Sequence, residues 1–292
     1  MTTLITGGTG FVGSNLDGDI RLSSKDADLR NLDAAVAIFE EHKPDVIVHA
    51  AARHGNFAQI AEDKVAYYRD NALININVFE AARLVGVKNL MAFSSVTAFP
   101  DHISAFGEDD LYKGQPHDSC YPYAYAKRMI EVLSRAYREQ YGLNYNCLFL
   151  ANAYGPGGQD NVIPLLIRKC LEAKKNETSF EILGDGSPRR DFIFIEDVKQ
   201  IIQLLEHHQH FGPIILSSGT SVSIREVVNE IVLAASFQGP IRWKETEDVG
   251  QLEKVPSNQK LTQLLPEFTY TSLAVGIQKT VEWASKKETT AP

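Results

Sequence analysis

The sequence predicts an α/β fold built on a doubly wound parallel sheet, and three observations support this. Short apolar runs alternate with segments of helical periodicity, which is typical of parallel strands joined by helical crossovers. The first apolar run, Thr2–Thr6, leads directly into glycines spaced as Gly7-x-x-Gly10-x-x-Gly13. Later runs end in small or hydroxyl-bearing residues, as strands do where backbone meets a ligand. Together these features predict a Rossmann-type sheet.

Composition and charge exclude several other classes. The chain has 292 residues, 44% hydrophobic and 23% charged, as in an ordinary soluble globule. A net charge of −8 and the lack of a basic run argue against a nucleic-acid partner. The 3 cysteines are too few and too scattered for a disulfide framework or a zinc site, so we expect no metal. With no signal peptide and no apolar run of membrane-spanning length, we expect a cytoplasmic protein without a membrane partner.

The glycine-rich turn is the predicted pyrophosphate site, because a helix N-terminus after such a turn binds phosphate through its backbone amides. Gly13 should let the helix and the first strand pack closely. Few residues separate this turn from the next candidate strand, Ile20–Ser24. A crossover that short leaves room only for a brief helix, which we expect to end near Gly18.

The end of the second strand predicts the choice of dinucleotide. Ser23-Ser24-Lys25 offers hydroxyls and a cation instead of the carboxylate that binds a ribose 2′-hydroxyl. This favours NADP(H), with NAD(H) as the alternative. Asp28 or Asp26 is a candidate contact to the adenine; alternatively, either of them starts the next helix.

The remaining elements follow in order. In the first half they are helix Asp33–His42, strand Asp45–Ala52, helix Val65–Val85, strand Leu90–Phe93, helix Ala124–Tyr141 and strand Tyr145–Leu150. After Pro156 we expect shorter elements: strand Phe180–Leu183, strand Asp191–Ile195, a helix opened by the capping box Ser223–Glu226 and running through Ala235, and helix Ser272–Ser285 followed by a solvated tail. We therefore predict a dinucleotide-binding domain over 1–160, with returning segments near 190–218, and a mainly substrate-binding lobe over 161–292.

Tyr123 and Lys127 are the candidate catalytic pair. They lie four residues apart on a predicted helix, so their side chains share one face. A neighbouring ammonium favours the phenolate, and a phenol with a lowered pKa suits general acid–base chemistry at a carbonyl. An ordinary helix surface often produces the same spacing. The catalytic assignment of this pair therefore depends on the motifs around it.

Several motifs occur in a fixed order around this pair. They are Thr6–Gly13, His49–Ala52, Ser94-Ser95, Pro122–Lys127, Asn152–Pro156 and Gly184–Phe192. Over nearly its whole length the chain therefore resembles the short-chain dehydrogenase/reductase superfamily, in its extended, sugar-nucleotide branch (the NAD-dependent epimerases and dehydratases). Asn161–Arg168, and Ser94-Ser95 shortly before Phe99-Pro100, resemble the GDP-fucose synthases within that branch.

The resemblance implies roles for individual residues. Tyr123 is the proton donor or acceptor, Lys127 tunes it and holds the nicotinamide ribose, and Ser95 hydrogen-bonds the reacting oxygen. The expected cofactor ligands are Gly7, Gly10, Phe11, Val12, Gly13, Ser23, Ser24, Lys25, Asp28, Leu29, Ala50, Ala51, Ala52, Asn71 and Lys127. The expected ligands of a nucleotide-diphosphate sugar are Ser95, Val96, Thr97, Tyr123, Asn152, Asn161, Val162, Arg168, Arg190 and Lys254. The resemblance also implies a homodimer through a four-helix bundle that includes the Tyr123 helix.

Two of the basic residues have an alternative interpretation. Arg168, Arg190 and Lys254 match the family's diphosphate-binding positions, and arginine suits phosphate because its planar fork binds two oxygens. Arg190 could instead form an ion pair with the adjacent Asp191, and Lys254 could be an ordinary surface lysine.

Three functions compete. The first is NADPH-dependent reduction of a nucleotide-linked 4-keto-6-deoxy sugar, with or without epimerisation. The second is a sugar-nucleotide epimerase that keeps NAD tightly bound, and the third is nucleotide binding without catalysis. A dehydratase is excluded because Val96-Thr97-Ala98, after Ser95, lacks the Asp-Glu pair of that variant.

Epimerisation is in doubt because the chain departs from the GDP-fucose synthase pattern at two positions. That family has a cysteine two residues after the catalytic serine and a histidine just before Val-Ile-Pro, and here Thr97 and Asn161 stand there. A threonine hydroxyl is too weak an acid to exchange protons near neutral pH, and an amide is no base. We predict reduction without epimerisation, unless His54, His102 or Cys120 has replaced the missing pair.

Overall fold

The computed structural model describes residues 1–158, 161–209, 211–245 and 252–290. In chain order its strands are β1 (Thr3–Thr6), β2 (Ile20–Leu22), β3 (Val46–His49), β4 (Asn89–Ser95), β5 (Ala105–Phe106), β6 (Asn144–Leu150), β7 (Asn152–Tyr154), β8 (Phe180–Leu183), β9 (Arg189–Phe194), β10 (Ile214–Leu216), β11 (Ser221–Ser223), β12 (Ile241–Lys244) and β13 (Glu253–Pro256). Its helices are α1 (Phe11–Asn15), α2 (Leu32–His42), α3 (Phe57–Glu62), α4 (Lys64–Leu84), α5 (Tyr121–Tyr141), α6 (Val162–Lys175), α7 (Ile195–Leu205), α8 (Ile224–Ala234), α9 (Gln259–Leu264) and α10 (Leu273–Thr290).

The chain divides into two compact units. The first comprises Met1–Ile103, Gly107–Leu150 and Lys199–Leu216. The second comprises Ser104–Phe106, Ala151–Val198 and the described part of Ser217–Pro292. Among the described residues no helix combines the length and the apolar character needed to cross a membrane.

The first unit is built on a parallel sheet with the strand order β2-β1-β3-β4-β6-β10. Its central strands are buried on both faces, which is why they read as continuous apolar runs. Helix α4 packs between α2 and α5, and α5 in turn covers β4 and β6. The strand order reverses at β1, so the carboxyl ends of β1 and β3 form the topological switch point where ligands bind in such sheets.

The second unit contains two smaller sheets. Strands β11, β9, β13 and β5 form one of them, with β7 also paired to β9, and β12 pairs with β8 in the other. Helices α6, α8 and α10 bury their apolar faces in one core with Tyr154, Phe180 and Phe194. The predicted capping box is confirmed, because Ser223 and Glu226 bond each other's backbone at the start of α8.

The predicted fold class, an α/β fold with a doubly wound parallel sheet and a smaller C-terminal part, is confirmed. Several boundaries and elements differ. Strand β2 ends at Leu22 rather than Ser24, because Ser23 begins a turn. The last helix continues to Thr290, where a tail was expected after Ser285. Helices α6 and α7 were not predicted from the sequence, since Pro164 lies in the first turn of α6 and Ile195 was taken for the end of a strand.

Candidate active site

The catalytic candidates of the first unit lie at the end of β4 and at the start of α5. Ser95 is the last residue of β4 and caps a single 3-10 turn over Val96–Ala98. Helix α5 begins at Tyr121 with Pro122 in its first turn, where the missing N–H costs nothing. Tyr123 and Lys127 therefore share the inner face of α5, and both are buried.

The hydrogen bonds of Ser95 leave its proton available. Its Oγ accepts from the backbone N of Thr97 at 3.2 Å and from Thr97 Oγ1 at 2.9 Å. A hydroxyl accepts through two lone pairs and donates once. Because both bonds use lone pairs, the Ser95 hydroxyl can donate its own proton to a reacting oxygen.

The protonation of the pair differs from the sequence prediction. Burial raises the pKa of Tyr123, whereas we expected Lys127 to lower it. The ammonium of Lys127 lies 5.9 Å from the Tyr123 ring centre and donates to Phe93 O at 2.8 Å. Burial also lowers the pKa of Lys127 to about 8, because desolvation disfavours its charge. Tyr123 is thus a protonated phenol, which suits a proton donor.

The glycine-rich turn forms a cradle that fits a dinucleotide diphosphate. Gly7 has a φ of 68°, and a Cβ there would lie 2.7 Å from the backbone of Ala51. A Cβ on Gly13 would lie 2.3 Å from Gly7 O. Gly10 caps α1 without a side-chain bond, so no side chain occupies the amides of Phe11 and Val12. Those amides have no partner within the helix and point to where a phosphate would bind.

The turn after β2 fits a ribose 2′-phosphate. Asp26 Oδ2 accepts from both the N and the Oγ of Ser23 at 2.7 Å, so its carboxylate is held inside the turn. Ser24 and Lys25 are exposed, and Lys25 forms no ion pair with any residue that the structure describes. The turn therefore presents the Ser24 hydroxyl and the Lys25 cation, while the Ser23 hydroxyl is bonded to Asp26.

Neither Asp26 nor Asp28 starts the next helix, which corrects that alternative. Asn31 caps α2 through a bond to Ala34 N. Asp28 instead pairs with Arg30 at 2.8 Å, and this bond lowers the pKa of Asp28 to about 2. Leu29 is buried, and its carbonyl accepts from Asn77.

Asn71 is bonded to the loop that follows β3. Its Oδ1 accepts from Arg53 N at 2.9 Å, and its Nδ2 donates to Arg53 O and Tyr67 O. Both amide protons are therefore used within the protein. Any effect of Asn71 on a cofactor would act through the position of this loop, which includes Ala50, Ala51 and Ala52.

The second unit carries the other substrate candidates. Asn152 Nδ2 donates to Asp191 O, and Asn161 Nδ2 donates to Ala153 O. Val162 and Arg168 are exposed on α6. Asn152 is the first residue of β7, and Asn161 is the N-cap of α6, the helix that follows.

Arg190 and Lys254 are cross-strand partners on β9 and β13. The proposed ion pair of Arg190 with Asp191 is absent, because the Asp191 carboxylate accepts from Ser218 and from the backbone of Thr220. Consecutive residues of a strand point to opposite faces, so the two side chains diverge. In the part of the chain that is described, no carboxylate pairs with Arg190, and its guanidinium donates to Arg189 O at 2.8 Å.

The three possible replacements for the epimerisation pair have different settings. Cys120 is buried, and its Sγ donates to His117 O. His102 packs against Gly114 and lines a separate pocket of about 290 Å³. His54 is exposed and contacts Tyr123 edge-on, with ring centres 6.0 Å apart.

Residues that the sequence did not single out hold these groups in place. Ser94 Oγ donates to Lys127 O, and Asn75 Nδ2 donates to Ala126 O, both at 2.8 Å. Arg128 donates through Nε to Ala98 O at 2.9 Å and so fixes the turn after Ser95. A signal existed for Asn75: α4 contains three asparagines, a poor helix former, and all of them are buried. Among the described residues no cluster of three or more His, Cys, Asp or Glu side chains is arranged to hold a metal ion.

Comparisons with known proteins agree with this geometry. The model of the NAD dependent epimerase/dehydratase family matches residues 3–215. A GDP-L-fucose synthase from Dictyostelium discoideum is 34% identical over 304 residues, which cover 97% of this chain and 94% of that protein. A probable GDP-L-fucose synthase from Drosophila melanogaster is 34% identical over 96% of each chain. A GDP-L-fucose synthetase from Naegleria fowleri, crystallised with NADP, has a TM-score of 0.89 and 33% identity over 99% of this chain and 94% of that chain.

The cradle gives a direct test of the cofactor site. We expect Gly13→Ala to weaken NADPH binding by at least about tenfold, because the new Cβ would push the turn away from the helix. Gly107→Ala is the matched control, since a Cβ at Gly107 meets nothing within 4 Å. Fluorescence titration with NADPH measures both dissociation constants. Equal affinities in the two variants would mean that this turn does not hold the diphosphate.

Proposed function

The chain belongs to the NAD-dependent epimerase/dehydratase family, and we propose that it reduces the keto group of a GDP-linked 4-keto-6-deoxy sugar. It is a sugar-nucleotide oxidoreductase of the extended short-chain dehydrogenase/reductase type, and it uses NADP(H). The single observation that carries the proposal is that the first unit supplies two proton donors, the Ser95 hydroxyl, which accepts from Thr97, and the protonated Tyr123 phenol, on the α5 face that carries the buried Lys127.

The residues of the chain then have distinct tasks. Bound NADPH supplies the hydride that reduces the carbonyl carbon. Ser95 donates a hydrogen bond to the carbonyl oxygen, which polarises the bond. Tyr123 transfers its proton to that oxygen as negative charge develops on it, and the product is an alcohol. The positive charge of Lys127 stabilises the phenolate that Tyr123 leaves behind.

We assign the 2′-phosphate of NADPH to the exposed Ser24 and Lys25. The Lys25 ammonium would attract this phosphate, and the Asp26 carboxylate accepts its hydrogen bonds from Ser23. The cradle of Gly7, Gly10 and Gly13 would hold the diphosphate.

We assign the substrate diphosphate to Arg190 and Lys254, with Arg168 as a further ligand. The net charge of the chain repels an anion, so a local pair of cations is needed to bind one. Burial also lowers the pKa of Arg190, and a bound phosphate would offset that desolvation. The name of each relative cited above specifies a GDP sugar, which supports GDP as the nucleotide.

We propose that this reduction occurs without epimerisation of the neighbouring carbons. Thr97 donates to Ser95 and thereby orients it, which is a positional role rather than acid catalysis. Asn161 donates to Ala153 O, and its amide offers no basic nitrogen. All three cysteines are buried and outside disulfides, which fits action in the reducing cytoplasm, where we place the enzyme.

The test uses GDP-4-keto-6-deoxymannose. With NADPH, we expect the absorbance of NADPH to fall as it is oxidised. The product should keep the configuration of the carbons flanking the ketone. In D₂O without reductant, NMR should show no enzyme-dependent deuterium at carbons 3 and 5. The Thr97→Cys/Asn161→His double variant restores the missing pair and serves as the positive control for exchange.

Different outcomes separate the parts of this proposal. Rapid exchange in the wild type would refute the loss of epimerisation, and its disappearance in His54→Ala would identify His54 as the replacement base. Absence of NADPH oxidation with this substrate would instead count against the reductase itself.

The activity should depend on the charge of Lys127. Its pKa is lowered to about 8, so the ammonium is present below that pH and is lost as the pH rises through it. We expect kcat/KM for NADPH, which reports on the free enzyme, to fall about tenfold per pH unit above that point. Tyr123→Phe should lower turnover by about 10²–10⁴ but keep this alkaline limb of the pH profile. Lys127→Met should remove the alkaline limb. A limb that persists in Lys127→Met belongs to another group.

We also propose a homodimer in which α4 and α5 of two copies form a four-helix bundle. Exposed apolar side chains line the outer faces of these helices: Val65, Tyr68, Ile76, Tyr125 and Val132. An open groove of about 730 Å³ lies between them. Monomeric proteins rarely leave so continuous an apolar surface exposed.

Light scattering after gel filtration tests this assembly. The wild type should elute with twice the chain mass, and Val132→Glu should give a monomer because it buries a charge in the interface. Leu233→Glu is the control, since Leu233 is exposed on α8, outside the bundle. A monomeric wild type would refute the dimer.

A further inference from the structure

A directional chain of hydrogen bonds crosses the interior of the first unit. Ala51 N donates to Thr6 Oγ1 at 3.3 Å, and Thr6 Oγ1 lies 2.7 Å from His49 Nδ1. His49 Nε2 lies 3.1 Å from Asn75 Oδ1, and Asn75 Nδ2 donates to Ala126 O at 2.8 Å. The side chains of Thr6, His49 and Asn75 are buried, so water does not compete for these bonds.

The end of this chain fixes the proton positions along it. The carbonyl of Ala126 can only accept, so the amide nitrogen of Asn75 must face it and the amide oxygen must face His49. His49 Nε2 therefore carries a proton. Nδ1 is then free to accept from the Thr6 hydroxyl, and the imidazole is the neutral Nε2–H tautomer.

Burial and charge keep this imidazole neutral. Desolvation, with the charge of Lys127 as a second cause, lowers the pKa of His49 to about 3. The neutral imidazole of His49 thus adds no positive charge near Lys127, whose ammonium is already disfavoured by burial.

The two ends of the chain are the two halves of the proposed active site. Ala51 lies in the turn after β3 that would face the cofactor. Ala126 lies on α5 between Tyr123 and Lys127, in the turn that carries the catalytic pair. The next carbonyl, that of Lys127, accepts from Ser94, so side chains of β4 and α4 hold two successive carbonyls of this turn.

We propose that His49 and Asn75 are positioning residues that hold the catalytic turn of α5 in register with the cofactor-facing turn. The proposal rests on the proposed reductase function. Neither residue exchanges a proton with substrate. Their contribution is a rigid, uncharged connection between Ala51 and Ala126, so hydride and proton are delivered from fixed positions.

The places of His49 and Asn75 in the series of hydrogen bonds predict different kinetic effects for their variants. Asn75→Leu removes the bond to α5 but leaves Thr6 and His49 joined, so kcat should fall about tenfold while the NADPH dissociation constant changes by less than about threefold. His49→Leu also releases Thr6 and the Ala51 turn, so kcat should fall and NADPH should bind more weakly. The double variant should resemble His49→Leu, because one broken link suffices.

Tyr145→Phe is the matched control. It removes another buried bond to a backbone carbonyl, that of Val87, at the opposite end of the sheet. Its effect on the melting temperature measures the structural cost of one such bond. The proposal is overturned if kcat in Asn75→Leu stays within about twofold of this control, or if the single effects multiply to about a hundredfold in the double variant.

A measurement without turnover keeps the inference separate from the reductase assignment. In the ¹⁵N-labelled wild type, His49 should show the neutral Nε2–H tautomer from pH 5 to 9, with a slowly exchanging ring proton. A charged ring or the Nδ1–H tautomer would overturn the proposal even if a variant fails to fold. Absence of any ketone reduction by the wild type would instead refute the proposed function and leave this result to stand by itself.

Discussion

The buried ammonium of Lys127 is the constraint on which the rest of the site depends. Burying an isolated charge is costly, and here the carbonyl of Phe93 is its hydrogen-bond partner at 2.8 Å. Burial keeps the titratable groups around it in their neutral forms, because desolvation disfavours a charge of either sign. His49 is neutral, Tyr123 keeps its proton, and burial raises the pKa of the Cys147 thiol. The Lys127 ammonium thus lies among neutral titratable neighbours, and Tyr123 keeps the proton that a donor needs.

The main sheet could be predicted from the sequence because its signals are local. A buried parallel strand is a continuous apolar run, and the glycines of the first turn are required by contacts with neighbouring backbone. The second unit gave weaker signals, since β5, β7 and β13 are short and exist only through pairing with distant strands. Pairing of this kind leaves little trace in a short window of sequence.

The candidate catalytic residues were proposed from the order of their motifs in the chain, but the sequence did not predict their electrostatics. The spacing of Tyr123 and Lys127 suggested a lysine that lowers the phenol pKa. The sign reversed because desolvation outweighs the charge when both groups are buried and the ammonium bonds elsewhere. Burial depth depends on how α5 packs on β4, which four residues of sequence do not encode. The same holds for Asn75, whose helix predicts a buried face but not a partner on another helix.

The replacement at Thr97 links geometry to the course of the reaction. A thiol at this position could lose a proton near neutral pH, whereas a hydroxyl cannot. The hydroxyl instead donates to Ser95 Oγ, and the backbone N of Thr97 donates to the same atom. Both lone pairs of Ser95 are then used, so its hydroxyl can act on a substrate oxygen only as a donor. In the reduction without epimerisation that we propose, Thr97 would thus orient the donor to the carbonyl and supply no acid for inverting a neighbouring carbon.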